Sequence, residues 1–205
     1  PPARLDRFKP AEPADYYVIL SRLVPYKQID LAIEAFNRLG RPLWVVGDGR
    51  DRPRLESLAG PNIRFLGRLG DGEVAQVLAR AQALVWPGEE DYGIAPVEAM
   101  ASGRPVIGRD AGGVRDTVLP GVTGLLFSPP TADALAEAVL TADTITWRPS
   151  VIREHAEGFG VDAFRRRLRD FLESPDGRAP AHFPLTTGAD TARPTGARPV
   201  AAARS

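Results

Sequence analysis

Residues 86–107 read WPGEEDYGIAPVEAMASGRPVI, and this stretch decides the fold. It leaves the apolar run ALVWP and crosses three consecutive acids, Glu89, Glu90 and Asp91. It then enters an apolar helical segment near residues 96–101 and returns to an apolar run, PVIG, over residues 105–108. Two short, almost continuously apolar strands joined through a helix predict a parallel pair covered on both faces. The stretch also poses a chemical question. Glu98 stands between Val97 and the run Ala99, Met100 and Ala101, and Glu90 lies in the loop just before. Carboxylates enter a domain core only with partners.

The same alternation extends in both directions. Upstream, YYVIL over residues 16–20 predicts strand one. A helical spacing follows, with Ile29, Ala32, Ile33, Phe36 and Leu39 on one face and Gly40 as its stop. PLWVVG gives strand two, ending at Gly47, a short helix lies near residues 54–58, and NIRFLG gives strand three. Asp71 is the expected cap of a helix with Val74, Val77, Leu78 and Ala81 inward. Downstream, GLLF is a short sixth strand. Thr131 caps a helix with Leu135, Ala138 and Val139 inward. A last helix near residues 162–173 carries Phe164, Leu168 and Phe171 on one side and arginines on the other. Strand and helix in turn define an α/β chain: one Rossmann-like domain over residues 15–173, its parallel sheet covered by helices. Residues 1–14 have linker composition. Residues 174–205 are too rich in proline, alanine and glycine to build a core and read as a tail.

Composition narrows the function classes. The 205 residues suffice for one domain with its own core. A formal net charge of zero argues against a broad nucleic-acid surface. With no cysteine and only His155 and His182, no zinc cluster is expected. No apolar run is long enough to span a bilayer. The opening PPARLDRFKPAEP lacks a methionine and reads as a piece of a longer protein.

In a parallel α/β sheet, ligands gather beyond the carboxyl ends of the strands. Three loops fall there. SRLVPYKQ follows strand one and offers Arg22 and Lys27. GDGRD follows strand two. PGEEDYGIAP follows strand four and runs into a helix start, whose free N–H groups favour an anion. Gly93 lets backbone approach a ligand closely. Arg22 and Lys27 fit a bound phosphate, or are solvated surface charges. The glycines of GDG (47–49) and AGG (111–113) fit close backbone approaches or plain turns. Asp48 fits sugar hydroxyls or a helix cap. Glu98 either accepts from a vicinal diol, as one carboxylate can, or pairs internally. Glu90 and Glu98 together also fit a glycosidase acid pair, although the adjacent phosphate-like helix start has no task in simple glycoside hydrolysis. Glu89 and Asp91 read as flanking loop acids.

The segments PPARLDRFKP, SRLVPYKQIDLAIEAF, VVGDG, IRFLG, PGEEDYGIAPVEAMASGRPVI, GGVRDTV and GVTGLLF occur in an order that resembles the C-terminal, donor-binding domain of family 4 glycosyltransferases. These enzymes have the two-domain GT-B architecture. The resemblance covers about residues 1–173 and includes the family's two glutamates separated by seven residues, here Glu90 and Glu98. It implies that Glu90 approaches the donor sugar and acts in catalysis with Arg22 and Lys27. It implies that Glu98 binds the ribose and that backbone at Gly93 and Ile94 meets the diphosphate. The base would lie near Arg64 and Phe65 and the loop at Gly67 and Arg68. It further implies a nucleotide-sugar donor, retained configuration and no essential metal or other cofactor. An absent N-terminal Rossmann-like domain would carry the acceptor site and a histidine that neither His155 nor His182 matches, so the isolated chain is expected to be inactive.

SRLVPYKQIDLAIEAFNRLG with VVGDG is most similar to the mannosyltransferase branch, which makes GDP-mannose the expected donor. Residue chemistry alone does not separate guanine from uracil readers. The expected setting is cytoplasmic, with peripheral membrane association through the absent domain. A non-catalytic nucleotide-sugar-binding module and a part of a sugar-nucleotide epimerase stand as alternatives.

Overall fold

The computed structural model describes residues 2–173. The expected tail over residues 174–205, including His182, lies outside the described residues.

Strand β1 (Tyr17–Leu20) leads through a 3-10 turn (Pro25–Lys27) into helix α1 (Ile29–Leu39). Next come β2 (Leu43–Val46), α2 (Arg52–Leu58), β3 (Ile63–Gly67) and α3 (Asp71–Arg80). The second half runs β4 (Leu84–Trp86), α4 (Ile94–Ala101), β5 (Val106–Arg109), α5 (Val114–Thr117) and β6 (Gly124–Phe127). Helices α6 (Ala132–Asp143), α7 (Pro149–Glu157) and α8 (Val161–Glu173) close the described chain. The six strands form one sheet in the order β3-β2-β1-β4-β5-β6, and every neighbouring pair is parallel. This is the parallel α/β architecture expected from the sequence.

The period of two along each strand divides the core into two layers. Tyr17 and Ile19 of β1, with Val45 and Val85, pack under Ile33 and Phe36 of α1, Leu55 of α2 and Leu135 and Val139 of α6. Val18, one residue over, belongs to the opposite layer with Leu84, Leu78 of α3, Val97 and Met100 of α4 and Ile152 of α7. Burying each such aliphatic side chain contributes about 1.5–3 kcal/mol, so both faces stabilise the sheet.

The predicted punctuation holds at two helices. Gly40 ends α1 at φ 67°, its N–H donating to the Phe36 carbonyl at 2.9 Å. The Thr131 hydroxyl accepts from the Ala134 N–H at 3.2 Å and caps α6. Helix α3 differs. Asp71 is its first residue rather than its cap, and its carboxylate pairs with Arg7. The Gly70 N–H donates instead to Glu73 at 2.8 Å. The buried face of α3 is Ala75, Leu78 and Ala79, with Val74 and Val77 only half-buried.

Two further features exceed the sequence reading. Residues 2–14 are pinned to the domain at Ala3, Phe8 and Ala14, with most of the segment between them exposed. The Ala3 N–H donates to the Phe159 carbonyl at 3.0 Å, Phe8 is buried, and the Ala14 N–H donates to the Arg80 carbonyl at 2.7 Å. Helix α7 was not expected at all, and it lies against α4 through Ile152 and Ala156. Helix α8 keeps Phe164, Leu168, Phe171 and Leu172 exposed. Among the described residues no helix is long and apolar enough to cross a membrane.

Candidate functional site

The sheet order reverses direction between β1 and β4. Chains leaving the carboxyl ends of these neighbours run off to opposite sides, and a crevice opens where they part. A cleft of about 660 Å³ lies there, walled by Ser21, Arg22, Tyr26 and Lys27 after β1 and by Trp86 and residues 89–95 after β4. A groove of similar volume runs between α1 and α6. Its walls include the starts of α1 and α6, but these carry the acids Asp30, Glu34 and Asp133, and the Thr131 hydroxyl already caps α6.

Glycines bring the loops into register. Gly47, at φ 125°, is so close to the loop after β1 that a Cβ would stand 1.9 Å from the Ser21 carbonyl oxygen. The GDG turn is thus a support beneath Ser21–Leu23, reinforced by the Leu23 N–H donating to the Asp48 carbonyl at 3.1 Å. The Asp48 carboxylate accepts from the Gly49 N–H at 2.8 Å. Across the cleft, a Cβ on Gly112 would stand 2.2 Å from the Glu90 carbonyl oxygen, and the Gly113 N–H donates to that carbonyl at 2.7 Å. The AGG turn therefore presses against the acidic loop.

Lys27 is the buried cation of the site, with 8 % of its surface exposed. Its ammonium forms an ion pair with the Glu90 carboxylate. It also lies 4.9 Å from the Tyr26 ring centroid and 5.5 Å from that of Trp86, within cation–π reach of both. Burial pushes the Lys27 ammonium below its ordinary range; Tyr26 opposes the shift and the Arg22 guanidinium adds to it. Arg22 is exposed and donates to the Tyr26 hydroxyl at 3.2 Å. Helix α4 begins directly above, with Gly93 at φ 73° as its cap and no side chain capping it. A start of this kind offers N–H donors and a positive field to an anion. The cleft thus combines a helix start, one buried cation and one exposed cation with three carboxylates, Glu89, Glu90 and Asp91, of which Glu90 is paired with Lys27. Such a set can hold a phosphate group and a hydroxylated neighbour together.

The remaining expected residues lie outside the cleft lining. Glu98 is half-buried on α4. Burial raises its carboxyl above the usual range; Arg7 opposes the shift and Asp71 adds to it. Arg64 and Arg68 are exposed, whereas Phe65 packs against the core layer under α1. The structure therefore gathers Arg22, Lys27, Glu90, Gly93 and Ile94 around one cleft, with Glu98, Arg64, Phe65 and Arg68 outside its lining. Ser21, Tyr26, Trp86 and Tyr92 belong to the lining and were not singled out from the sequence. Tyr26 adjoins Lys27 and Trp86 ends a strand, so their positions carried a signal; their side-chain directions did not. His155 is turned away, with Nε2 2.8 Å from the Thr117 carbonyl oxygen. No acid or histidine cluster suited to a metal occurs among the described residues.

A family described as Glycosyl transferases group 1 matches residues 14–142, and the chain belongs to that family. A GDP-mannose-dependent alpha-mannosyltransferase of Mycolicibacterium smegmatis is 41% identical over 109 residues, covering 53% of this chain and 29% of that protein. A glycogen synthase of Deinococcus deserti is 34% identical over 166 residues, covering 76% of this chain and 37% of that protein. The sucrose-phosphate synthase of Thermosynechococcus elongatus superposes with a TM-score of 0.72 at 26% identity, covering 83% of this chain and 50% of that one. The fold is that of one half of a GT-B glycosyltransferase. The chain spans well under two thirds of the length of the curated relatives it matches.

Proposed function

We propose that this chain is the donor-binding half of a retaining, metal-independent family 4 glycosyltransferase that transfers mannose from GDP-mannose. The observation that carries the reading is the pairing of Lys27 with Glu90 directly below the start of α4, at the point where the sheet reverses. The most favourable seat for the diphosphate is the backbone at Gly93 and Ile94, with Lys27 and Arg22 beside it. Negative charge grows on the diphosphate as the glycosidic bond breaks. Fixed positive groups at that point stabilise the transition state more than the ground state. They supply the counter-charge that a divalent cation supplies elsewhere. Glu90, adjacent to Lys27, then faces the sugar, where its carboxylate accepts from hydroxyls.

Glu98, one turn farther along α4, is assigned to the ribose. Its desolvated carboxylate gains most from two hydroxyl donors. The base is assigned to the β3 end, at the exposed Arg64 and Arg68; Phe65, packed in the core, contributes there through its backbone. Acceptor contacts belong to a second domain, so the isolated chain binds donor without turnover. This reading sets the whole protein on the cytoplasmic side, against the membrane face where the acceptor is a lipid.

Mannose as the transferred sugar is supported by the Mycolicibacterium relative, the most identical of those compared above. A glucosyl donor is the second reading, favoured by the glycogen synthase match over a larger share of the chain. Calorimetry of the chain with GDP-mannose, UDP-glucose and ADP-glucose, without metal and then with it, decides between them. Tightest binding to GDP-mannose, unchanged by chelator, is the expected result. Binding that requires a divalent cation overturns the metal-independent reading.

A further inference from the structure

Gln28 is the one non-glycine residue with positive φ among the described residues, at φ 51° and ψ 38°. It joins the turn that carries Lys27 to the first residue of α1. An L side chain is disfavoured there because Cβ crowds the carbonyl oxygen, and only glycine adopts the conformation freely. The Gln28 side chain is itself held. Its Oε1 accepts a hydrogen bond from Arg109 Nη1 at 3.1 Å. Arg109 is the last residue of β5, and its Nη2 lies 3.7 Å from Glu89 Oε2. One half-buried guanidinium thus grips the residue after Lys27 and the residue before Glu90.

Resting on the donor-binding reading above, we propose that Arg109 is a positioning residue: by holding Gln28 in the left-handed conformation and Glu89 in place, it sets Lys27 against Glu90 for the donor diphosphate. The planar fork of arginine suits this task. Its Nη1 donates to Gln28 while its Nη2 stays within ion-pair range of the largely exposed Glu89 carboxylate on another loop, a spread that a single ammonium cannot reproduce. Of the two partners Glu89 lines the cleft and Gln28 does not. Arg109 is absent from the lining, and its effect passes through the backbone on either side. The acidic loop keeps a second tie through the Gly113 N–H to the Glu90 carbonyl, so losing Arg109 displaces the pair rather than unfolding the loop.

The test uses the full chain with Arg109→Gln, Arg109→Lys, Gln28→Gly and the double variant Gln28→Gly with Arg109→Gln. Calorimetry measures GDP and UDP against guanosine and uridine. Backbone chemical shifts of residue 28, which report the sign of φ, are read without ligand. Arg109→Gln is expected to weaken diphosphate binding about tenfold and leave the nucleosides unchanged. It also moves residue 28 toward negative φ, and Arg109→Lys falls between. Gln28→Gly alone binds normally. In that background Arg109→Gln costs less, because glycine adopts the conformation without strain and has no side chain for Arg109 to hold, which leaves only the contact with Glu89 to lose. Equal losses in the two backgrounds, or a residue 28 that stays at positive φ in Arg109→Gln, overturn the proposal. Should the unaltered chain bind neither diphosphate, the donor reading fails, and the shifts of residue 28 still decide the role of Arg109.

Discussion

The Lys27 ammonium is paired with the Glu90 carboxylate, and each sits on the loop that follows one of the two strands flanking the sheet reversal. The pair itself is neutral, and Arg22, Glu89 and Asp91 add the remaining charges of the cleft lining. On the proposed reading a bound diphosphate would draw on Lys27 and a bound sugar on Glu90, so donor binding would loosen one contact and replace it with two. That exchange bears on what substitution of each partner does.

Lys27→Ala should weaken GDP by about 1.5–3 kcal/mol, the worth of a hydrogen bond to a charged group, and leave guanosine nearly unaffected. Calorimetry with the two ligands checks this. Equal losses would remove Lys27 from the phosphate site.

Glu90→Gln should spare GDP or tighten it modestly, since it frees the Lys27 ammonium from its partner. On the proposed reading, the same change in a protein that also carries the acceptor domain should lower kcat, because contacts that strengthen in the transition state are those that raise turnover. Steady-state kinetics beside calorimetry separates the two effects. Undiminished kcat would end the catalytic assignment of Glu90.

Glu98 gives a pH signature. Burial holds its folded-state pKa above the ordinary 4.5, so the folded protein binds this proton more tightly than the unfolded chain does. Its contribution to stability is fully present below about pH 4.5 and is lost as pH rises through the folded-state value. Unliganded chain should therefore lose stability relative to Glu98→Gln across that window. GDP affinity should rise over the same window as the carboxylate forms. Urea unfolding of both proteins at several pH values, with and without GDP, measures the difference; parallel curves would contradict it.

Gly112→Ala should cost clearly more than Gly40→Ala. Both glycines have positive φ, 65° and 67°, so alanine at either carries a similar backbone penalty of about 1 kcal/mol. Only at Gly112 would the new methyl strike backbone, the Glu90 carbonyl oxygen at 2.2 Å; at Gly40 nothing lies within 4 Å. The difference in unfolding free energy isolates the clash, and GDP-mannose binding should fall only for Gly112→Ala. Matching losses at the two sites would show that the loop yields.

Phe8→Ala should destabilise the chain by about 3–5 kcal/mol, as for a fully buried phenylalanine. Denaturation midpoints settle it. A change within about 0.5 kcal/mol, usual for a surface site, would mean that residues 2–14 hang free in solution.

The sequence by itself determined the alternation of strands and helices, because apolar spacing is a local property and each element carries its own period. Gly40 and Thr131 were readable for the same reason: a helix end is satisfied by neighbours in the chain. The loop before α4 was readable as a candidate site, because Glu90 stands where a parallel sheet leaves its ligand edge and the loop runs into a helix start. Other features took the tertiary structure. Linker composition does not reveal that Phe8 finds a pocket, because burial depends on what α4 and α7 leave uncovered. The pairing of Lys27 with Glu90, the Trp86 ring beneath them and the grip of Arg109 on Gln28 and Glu89 also escaped the sequence. These groups lie on loops far apart in the chain, and they meet only because the strand order sets β1 beside β4 and β4 beside β5. Strand order is fixed by the packing of helices over the whole sheet, and no local pattern encodes it.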